Sequence, residues 1–491
     1  MTVQIATLVM LSLPAGPAPA RAPATTPLEY LIGMLKDDKT ANPTLAALRS
    51  TEDRDLVPVY EAMTRSADKE RRLFGVVALA GLVGKDAASC LWERLAGDPV
   101  MAIRAEALRH LIEAKAISDE QLAAALKVPD ENVQCQAARA LVDRGQAAVA
   151  LGPLEQLASS KDAATSGLSS ACLLGLGRRE QEAPLRKVMR DPATAPGVLS
   201  VILRQIARQK VTSAMPLVLH IAGSEDAPTS LRVLAYEAGA SISSLGPVML
   251  RDAILNSKRT AFRVRLLKVL SARADAGAHL QMIARGSDSA AVLARFEMAR
   301  KTGGPTAAGA VTAAFDLEHP VVVAYVLDRA GEDIKANGTK CDYYVPGLAK
   351  YIRSVDPRPR QMAREHYLAA GAASRLIDLG TPAAVAALKG LLAGKATAVT
   401  RSTAAGLLRA RNPAARDLVR PLLASPYEEL STDAALALGH FGDQAAAARL
   451  GDILARPKTH APALVVLSSW YLLKIAGQTR AAAAQLAKVI D

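Results

Sequence analysis

The chain has 491 residues, half of them hydrophobic but only 3% aromatic, and its 60 Lys and Arg against 47 Asp and Glu give a formal net charge of +13. Ala, Leu and Val therefore carry most of the apolar content, which is typical of helices packed closely on small faces. This composition excludes a disordered chain, and four Cys in this length exclude a disulfide scaffold. No run approaches about eighteen consecutive apolar residues, so we predict no membrane span.

Residues 1–26 have the pattern of a signal peptide followed by an Ala/Pro-rich leader. The apolar run from Ile5 to Leu13 is too short to cross a bilayer but suits the core of a signal peptide. Ala18-Pro19-Ala20 offers a cleavage site, so we expect cleavage after Ala20 and a periplasmic or secreted location. No Lys or Arg precedes the apolar run, and the alternative is an uncleaved tail on a cytoplasmic protein.

From residue 27 onward one pattern recurs: a turn residue, a short gap, and then small and apolar residues at helical spacing. The clearest copy runs from Asp98 to Leu108. Ten of the twelve steps between successive copies measure 28 to 34 residues, which indicates an internal repeat. The closing apolar residues of the copies are Leu79, Leu108, Leu141, Leu174, Ile206, Ala238, Leu270, Ala299, Leu327, Leu368, Leu408, Leu438 and Leu472.

Each repeat contains two helix-length stretches separated by Gly, Pro, Asp or Asn. Phe262, Leu266, Val269 and Leu270 follow helical spacing and form one apolar face, while no stretch alternates as a strand would. Because a two-helix unit of this size cannot bury its own apolar face, it must stack on its neighbours. We therefore predict an all-α, right-handed α-solenoid of about thirteen helix pairs, curved into a rod about 100 Å long.

The copy that begins at Asp98-Pro99 and places Arg104 six residues later resembles the HEAT repeat. In that family the Asp and the Arg commonly form hydrogen-bonded ladders between neighbouring repeats, and the resemblance implies such a ladder here. Most copies depart from the pattern, since Gln134 stands in the Arg position of one copy and position 434 near the C-terminus is Ala. The chain thus resembles a degenerate, bacterial HEAT-like array over residues 28–476.

The long steps between Leu327, Leu368 and Leu408 predict a division of the array. We expect an N-terminal HEAT-like array over 27–330, an irregular joint with an insertion over 331–400, and C-terminal HEAT-like repeats over 401–491. The insertion contains three of the ten Tyr of the chain within nine residues. Tyr and Arg are common anchors of protein interfaces, and the alternative is that the Tyr rings fill a widened joint. The residues predicted to contact a partner are Tyr343, Tyr344, Tyr351, Arg353, Arg358 and Arg360.

Motifs that carry chemistry are not found in the sequence. The seven His form no metal-binding spacing with one another, no Cys lies within four residues of another Cys or a His, and phosphate-loop and hydrolase-elbow patterns do not occur. Cys90, Cys135 and Cys172 lie in apolar helical contexts that favour buried thiols. We therefore expect no enzyme activity, no cofactor and no metal site.

The basic excess lies mostly in the middle of the chain, and its densest part is the basic patch formed by Lys258, Arg259, Arg263, Arg265 and Lys268. Such a patch could hold nucleic acid, anionic lipid or an acidic protein surface, or could be only solvated surface. We predict a scaffold or adaptor that binds a protein partner through the extended solenoid. The alternative is a nucleic-acid-binding protein, similar to DNA-glycosylase-like HEAT proteins, that uses the basic central repeats.

Overall fold

The computed structural model describes residues 26–354, 362–393, 398–410 and 413–490, and this part of the chain is helical without any strand. The predicted leader, its cleavage site, Arg358 and Arg360 lie outside the described residues. The helices are α1 (Pro27–Lys36), α2 (Asp38–Ser50), α3 (Val57–Arg65), α4 (Lys69–Val83), α5 (Ala88–Gly97), α6 (Met101–Glu113), α7 (Asp119–Ala125), α8 (Glu131–Asp143), α9 (Ala147–Leu157), α10 (Ala163–Gly175), α11 (Glu182–Arg190), α12 (Pro196–Arg208), α13 (Met215–Gly223), α14 (Thr229–Ile242), α15 (Gly246–Asn256), α16 (Thr260–Ser271), α17 (Gly277–Ala284), α18 (Ser289–Arg300), α19 (Gly304–Phe315), α20 (Pro320–Asn337), α21 (Val345–Ser354), α22 (Met362–Leu379), α23 (Pro382–Leu392), α24 (Ala398–Arg409), α25 (Arg416–Val419), α26 (Glu428–His440), α27 (Ala447–Ala455), α28 (Pro462–Ile475) and α29 (Thr479–Ile490).

These helices form consecutive pairs, which confirms the prediction of an all-α solenoid. All thirteen closing residues of the sequence repeat fall on even-numbered helices, from Leu79 on α4 to Leu472 on α28. The pair α1–α2 precedes the first copy counted, and α29 follows the last. Within the described ranges the array therefore has fourteen pairs and a final single helix.

A recurring side-chain contact fixes the helices α4, α6 and α8 to the turns before them. Arg72 donates to the carbonyl of Ser66 at 3.0 Å, Arg104 donates to that of Asp98 at 3.1 Å, and Gln134 donates to that of Val128 at 2.9 Å. In each case the donor lies six residues after the carbonyl that it satisfies. Gln134 thus takes over the carbonyl contact that Arg makes in the neighbouring repeats.

The ladder implied by the HEAT resemblance is present in the first repeats. Arg72 forms an ion pair with the fully buried Asp98 at 2.8 Å, and Arg104 approaches Asp130 of the next repeat at 3.6 Å. Asp130 also caps α8 by accepting from two backbone N–H groups. A neutral Gln134 cannot continue these ion pairs, so the ladder ends where the sequence departs from the pattern.

The even-numbered helices form the inner layer of the solenoid. Along most of the array each of them packs directly on the next even-numbered helix, whereas the odd-numbered helices contact one another less extensively. In a curved two-layer array the helices of the inner layer lie closer together. An exposed residue in the middle of an even-numbered helix therefore faces the concave side, called the inner face below.

The two ends of the array meet, so the solenoid is a closed ring rather than the open rod expected from the sequence. Helix α28 packs on α1 and α2, and α29 packs on α1 and α3. At this seam Asp53 accepts hydrogen bonds from the indole of Trp470 at 3.2 Å and from Lys474 at 2.9 Å. Asp55 accepts from Thr479 and pairs with Arg480. Residues more than 400 positions apart therefore complete the last helix-helix interface.

One stretch, Lys69–Gly97, is long and apolar enough to cross a membrane by length and composition alone. Gly84, with φ of +54°, interrupts this stretch and separates α4 from α5. Each of the two helices is shorter than the roughly 20 residues that a bilayer requires. Both belong to the stacked array.

Candidate partner-binding surface

Charged residues of both signs line most of the inner face. Its residues include Glu106, Arg109, Arg204, Glu237, Arg265, Asp328 and Asp433, each exposed or half-buried on an even-numbered helix. Some of these charges neutralise each other, since Arg109 pairs with Glu106 and also with Glu113 at 2.7 Å. A hydrogen bond from His110 and the pair with Arg109 lower the pKa of Glu106 to about 2. The result is a polar surface of mixed sign.

The predicted basic patch is split by the structure. Arg263 pairs with Asp288 at 2.7 Å, and Lys268 lies 3.7 Å from Asp328 and 3.6 Å from Glu332. The other three cations, which are Lys258, Arg259 and Arg265, are exposed and form no ion pair with any described residue. Lys258 and Arg259 lie in the turn before α16, whereas Arg265 points to the inner face.

The tyrosines predicted to contact a partner lie mainly inside the protein. Tyr344 and Tyr351 are buried, Tyr343 is half-buried, and Arg353 is exposed at the end of α21. The Tyr351 ring stacks on Phe315 with ring centres 5.3 Å apart. In this arrangement Tyr344 and Tyr351 serve the core, as in the alternative of a widened joint, and only Tyr343 and Arg353 offer surface. The binding role of these residues stays a prediction.

A buried polar network explains why the tyrosines cluster there. Tyr344 donates to Asp333 at 2.7 Å and Tyr343 donates to the same oxygen at 3.3 Å, while Arg300 pairs with Asp333 at 2.6 Å. Burial, together with the hydrogen bond to Asp333, raises the pKa of Tyr344 above its usual value. These contacts join the 3₁₀ segment 338–344 to α18 and α20.

The second half of this network is centred on Glu297 of α18, which has no exposed surface. Glu297 accepts from Arg329 at 2.9 Å, from Arg300 at 2.8 Å and from the hydroxyl of Tyr325. Arg329 reaches further and donates to the hydroxyl of Ser271 on α16 at 2.7 Å. The network therefore connects α16, α18 and α20. It is called the joint below, as distinct from the irregular joint predicted over 331–400. The hydrophobic core continues on the far side of it through the described residues between 331 and 400.

Sequence reasoning missed a polar cleft between the ends of two even-numbered helices. The cleft has a volume of about 430 Å³ and is lined by Val142, Asp143, Arg208 and Gln209, at the C-terminal ends of α8 and α12. Helix α10 lies between these helices, and its terminal Gly175 has no side chain to fill the space. Arg208 consequently reaches across and pairs with Asp143 at 2.6 Å. The only signal in the sequence is the small-residue composition of α10, which does not indicate a site.

The described part of the chain contains no group of three or more His, Cys, Asp or Glu that could hold a metal ion. All four Cys are buried and unpaired. Burial raises the pKa of Cys172 above its usual value, so its thiol stays protonated at neutral pH. His366 lies 2.6 Å from the hydroxyl of Ser402.

Comparison with known proteins yields structural matches at low similarity. No protein-family model matches the chain, and no curated protein matches it significantly. The crystal structure of Kap121p is 12% identical over 92% of this chain and 57% of its own, with a TM-score of 0.38. The karyopherin Kap121p bound to the SUMO protease Ulp1p is 13% identical over 94% and 56%, with a TM-score of 0.31. Human deoxyhypusine hydroxylase is 14% identical over 67% and 97%, with a TM-score of 0.19.

The chain thus spans little more than half the length of the karyopherin structures that it matches. Likeness at this level carries no information about what the chain binds. The fold class rests on the helix pairs and their packing described above.

Proposed function

We propose that this chain is a non-enzymatic scaffold or adaptor that binds a protein partner on the inner face of the ring. The observation that carries the proposal is the mixed charge of that face. A nucleic acid would bring its phosphates against Glu237, Asp328 and Asp433 as well as against the cations. A protein surface can place charges of both signs opposite their complements.

A second candidate function is the binding of nucleic acid by the cations that remain without partners. Lys258, Arg259 and Arg265 support it, because they are exposed and form no ion pair in the described ranges. The pairing of Arg263 and Lys268 with carboxylates weakens it, since paired cations contribute less to a polyanion site. Binding of this kind would fall steeply as the salt concentration rises.

Site-specific photo-cross-linking in an extract of the native host tests both candidates. A photoreactive residue in place of Glu237 on the inner face should give adducts that protease digests and nuclease leaves intact. The matched control is the same residue in place of Gln281, which is exposed on the outer helix α17. Adducts that nuclease digests, or equal protein adducts at both positions, would contradict the proposal.

We further propose that the protein is exported, with cleavage after Ala20. The apolar run from Ile5 to Leu13 and the Ala18-Pro19-Ala20 sequence support this location. N-terminal sequencing of the native protein tests it directly. A mature chain that starts at Arg21 is expected, and a chain that starts at Met1 or Thr2 would exclude export through this segment.

A further inference from the structure

Three successive outer helices each expose a large aliphatic side chain. Leu219 on α13, Leu255 on α15 and Met282 on α17 are each between 37% and 50% exposed. Helix α15 packs on α17, which brings their exposed side chains to one part of the outer face. These three residues are called the outer strip below. Exposed aliphatic side chains grouped in this way, unlike isolated ones, mark a surface that contacts another molecule.

Cations without ion-pair partners lie beside the outer strip. Lys258 and Arg259 lie in the turn that follows Leu255, and Arg285 lies three residues after Met282, immediately after α17. All three cations are exposed and form no ion pair with any described residue. The ends of α15 and α17 therefore combine apolar side chains with positive charge.

The carboxylates of these two repeats do not neutralise that charge, because other cations hold them. Asp252 pairs with Arg251 at 2.6 Å, and Asp288 pairs with Arg263 at 2.7 Å. The acidic pair 225–226 lies in the turn before α14, in the preceding repeat, and bounds the basic surface on that side. The surface around the outer strip is thus locally positive.

A ring of helix pairs presents only a narrow part of its outer face to a flat surface. Fourteen pairs and a final helix close the ring, so the outer face turns by about 26° from one pair to the next. A flat surface that touches α15 therefore also reaches α13 and α17 but diverges from the helices beyond them. The outer strip occupies these three helices and has the extent that such a contact allows.

The composition of this surface distinguishes among the anionic partners that it could bind. A nucleic acid offers phosphates but no apolar layer for aliphatic side chains. Hot spots of protein interfaces are rich in Trp, Tyr and Arg, and Lys is depleted there, whereas α13, α15 and α17 contain no Trp, Tyr or Phe. An anionic membrane offers phosphates to cations and an apolar layer to aliphatic side chains, so it matches both features.

We propose that the outer strip and its neighbouring cations bind the surface of an anionic membrane. Lys258, Arg259 and Arg285 contact lipid phosphates, and the aliphatic side chains of the outer strip enter the boundary between headgroups and acyl chains. This inference goes beyond the proposed function, because contact through the outer face leaves the inner face free for a protein partner.

Co-sedimentation of the full chain with lipid vesicles tests the proposal. The vesicles contain either equal parts of phosphatidylglycerol and phosphatidylcholine or phosphatidylcholine alone. We expect binding to the anionic vesicles that weakens as the salt concentration rises, and much weaker binding to the neutral ones. Arg259→Gln and Leu255→Gln should each lower the affinity for the anionic vesicles about fivefold. Both side chains are exposed, so the fold should be retained.

The matched controls change the same kinds of side chain elsewhere. Val149→Gln replaces a similarly exposed aliphatic residue on the outer helix α9, and Lys488→Gln removes an exposed cation from α29. Both controls should bind the anionic vesicles as the unaltered chain does. Equal binding to the two kinds of vesicle would overturn the inference, and so would a Leu255→Gln or Arg259→Gln variant that binds as its control does. Photo-cross-linking at position 237 is a separate measurement, so this inference and the proposed function can fail independently.

Discussion

The seam and the joint both place carboxylates inside an apolar solenoid, but they differ in what they connect. At the joint, Glu297 and its partners lie within about 60 residues of one another and are shielded from water. At the seam, Asp53 and Asp55 bind Trp470, Lys474, Thr479 and Arg480 across more than 400 residues, and some of these groups remain exposed. The joint therefore stabilises neighbouring repeats, whereas the seam decides whether the array is a ring. Damage at the joint should affect folding, and damage at the seam should affect closure.

The largest effect is expected from Glu297→Ala at the joint. This change leaves the Arg329 and Arg300 guanidinium groups buried without their common carboxylate, which costs about 3–5 kcal/mol. Hydrogen exchange should show the loss as lower protection in α16, α18 and α20.

The matched control at the joint is Glu332→Gln, because Glu332 pairs with the same Arg329 but its side chain is 49% exposed. Loss of this exposed pair should cost less than about 1 kcal/mol. Equal losses in the two variants would show that burial does not distinguish these carboxylates.

A smaller and more local effect is expected from Asp53→Ala at the seam. Trp470 and Lys474 lose their common acceptor, which costs about 1–3 kcal/mol. Hydrogen exchange should rise in α1, α28 and α29 while the protection of α16 to α20 stays unchanged. Asp86→Ala, which removes an exposed carboxylate away from the seam, is the control. A loss of protection spread over the whole chain would contradict the local role of the seam.

Acid should weaken the seam through the same residue. Burial raises the pKa of Asp53, but hydrogen bonds from Lys474, the Asp55 backbone and Trp470 outweigh it and hold the pKa below its usual value. A carboxyl whose pKa is lower in the folded state stabilises the protein above its unfolded pKa, and this stability is lost as the pH falls through the folded pKa. The stability difference between the unaltered chain and Asp53→Asn should therefore shrink below about pH 4. A stability difference that stays constant from pH 7 to below about pH 4 would show that protonation of Asp53 is not linked to closure of the ring.

The smallest effect is expected from Arg480→Ala at the seam. The Arg480 side chain is 91% exposed, so its pair with Asp55 at 3.3 Å is screened by water. The change in stability should stay below about 0.5 kcal/mol. A loss as large as that of Asp53→Ala would mean that exposed charges hold the ring closed.

The helix pairs could be predicted from the sequence because each repeat carries its own signal. Apolar spacing placed every closing residue on an even-numbered helix, including Ala238 and Ala299, where Ala stands in place of a larger apolar residue. The ladder was implied by the HEAT resemblance of Asp98 and Arg104, and the structure has it in the first repeats. The pair α1–α2 was not counted, because no copy of the closing pattern marks it.

Closure and the cleft between α8 and α12 could not be predicted, because neither has a local signal. Asp53 and Trp470 come into contact only because the curvature of all the repeats adds up to a ring. Small differences in side-chain packing determine that curvature. Asp143 and Arg208 read as ordinary residues at helix ends until the fold brings α8 and α12 close enough for them to pair. The tyrosines at 343, 344 and 351 were noticed for their density, yet density alone does not distinguish an interface from a buried network.

Cross-linking of the two ends tests closure of the ring most directly. Asp55→Cys and Thr479→Cys replace two side chains that touch at the seam, and the four native Cys are buried and should react slowly. A short bis-maleimide should link the two new thiols within one chain, at a yield that does not change on dilution. The control pair Asp119→Cys and Arg144→Cys replaces side chains 2.8 Å apart at the start of α7 and just after α8, and it should react in an open or a closed array. Efficient linkage of the control pair without intramolecular linkage of positions 55 and 479 would contradict the closed ring.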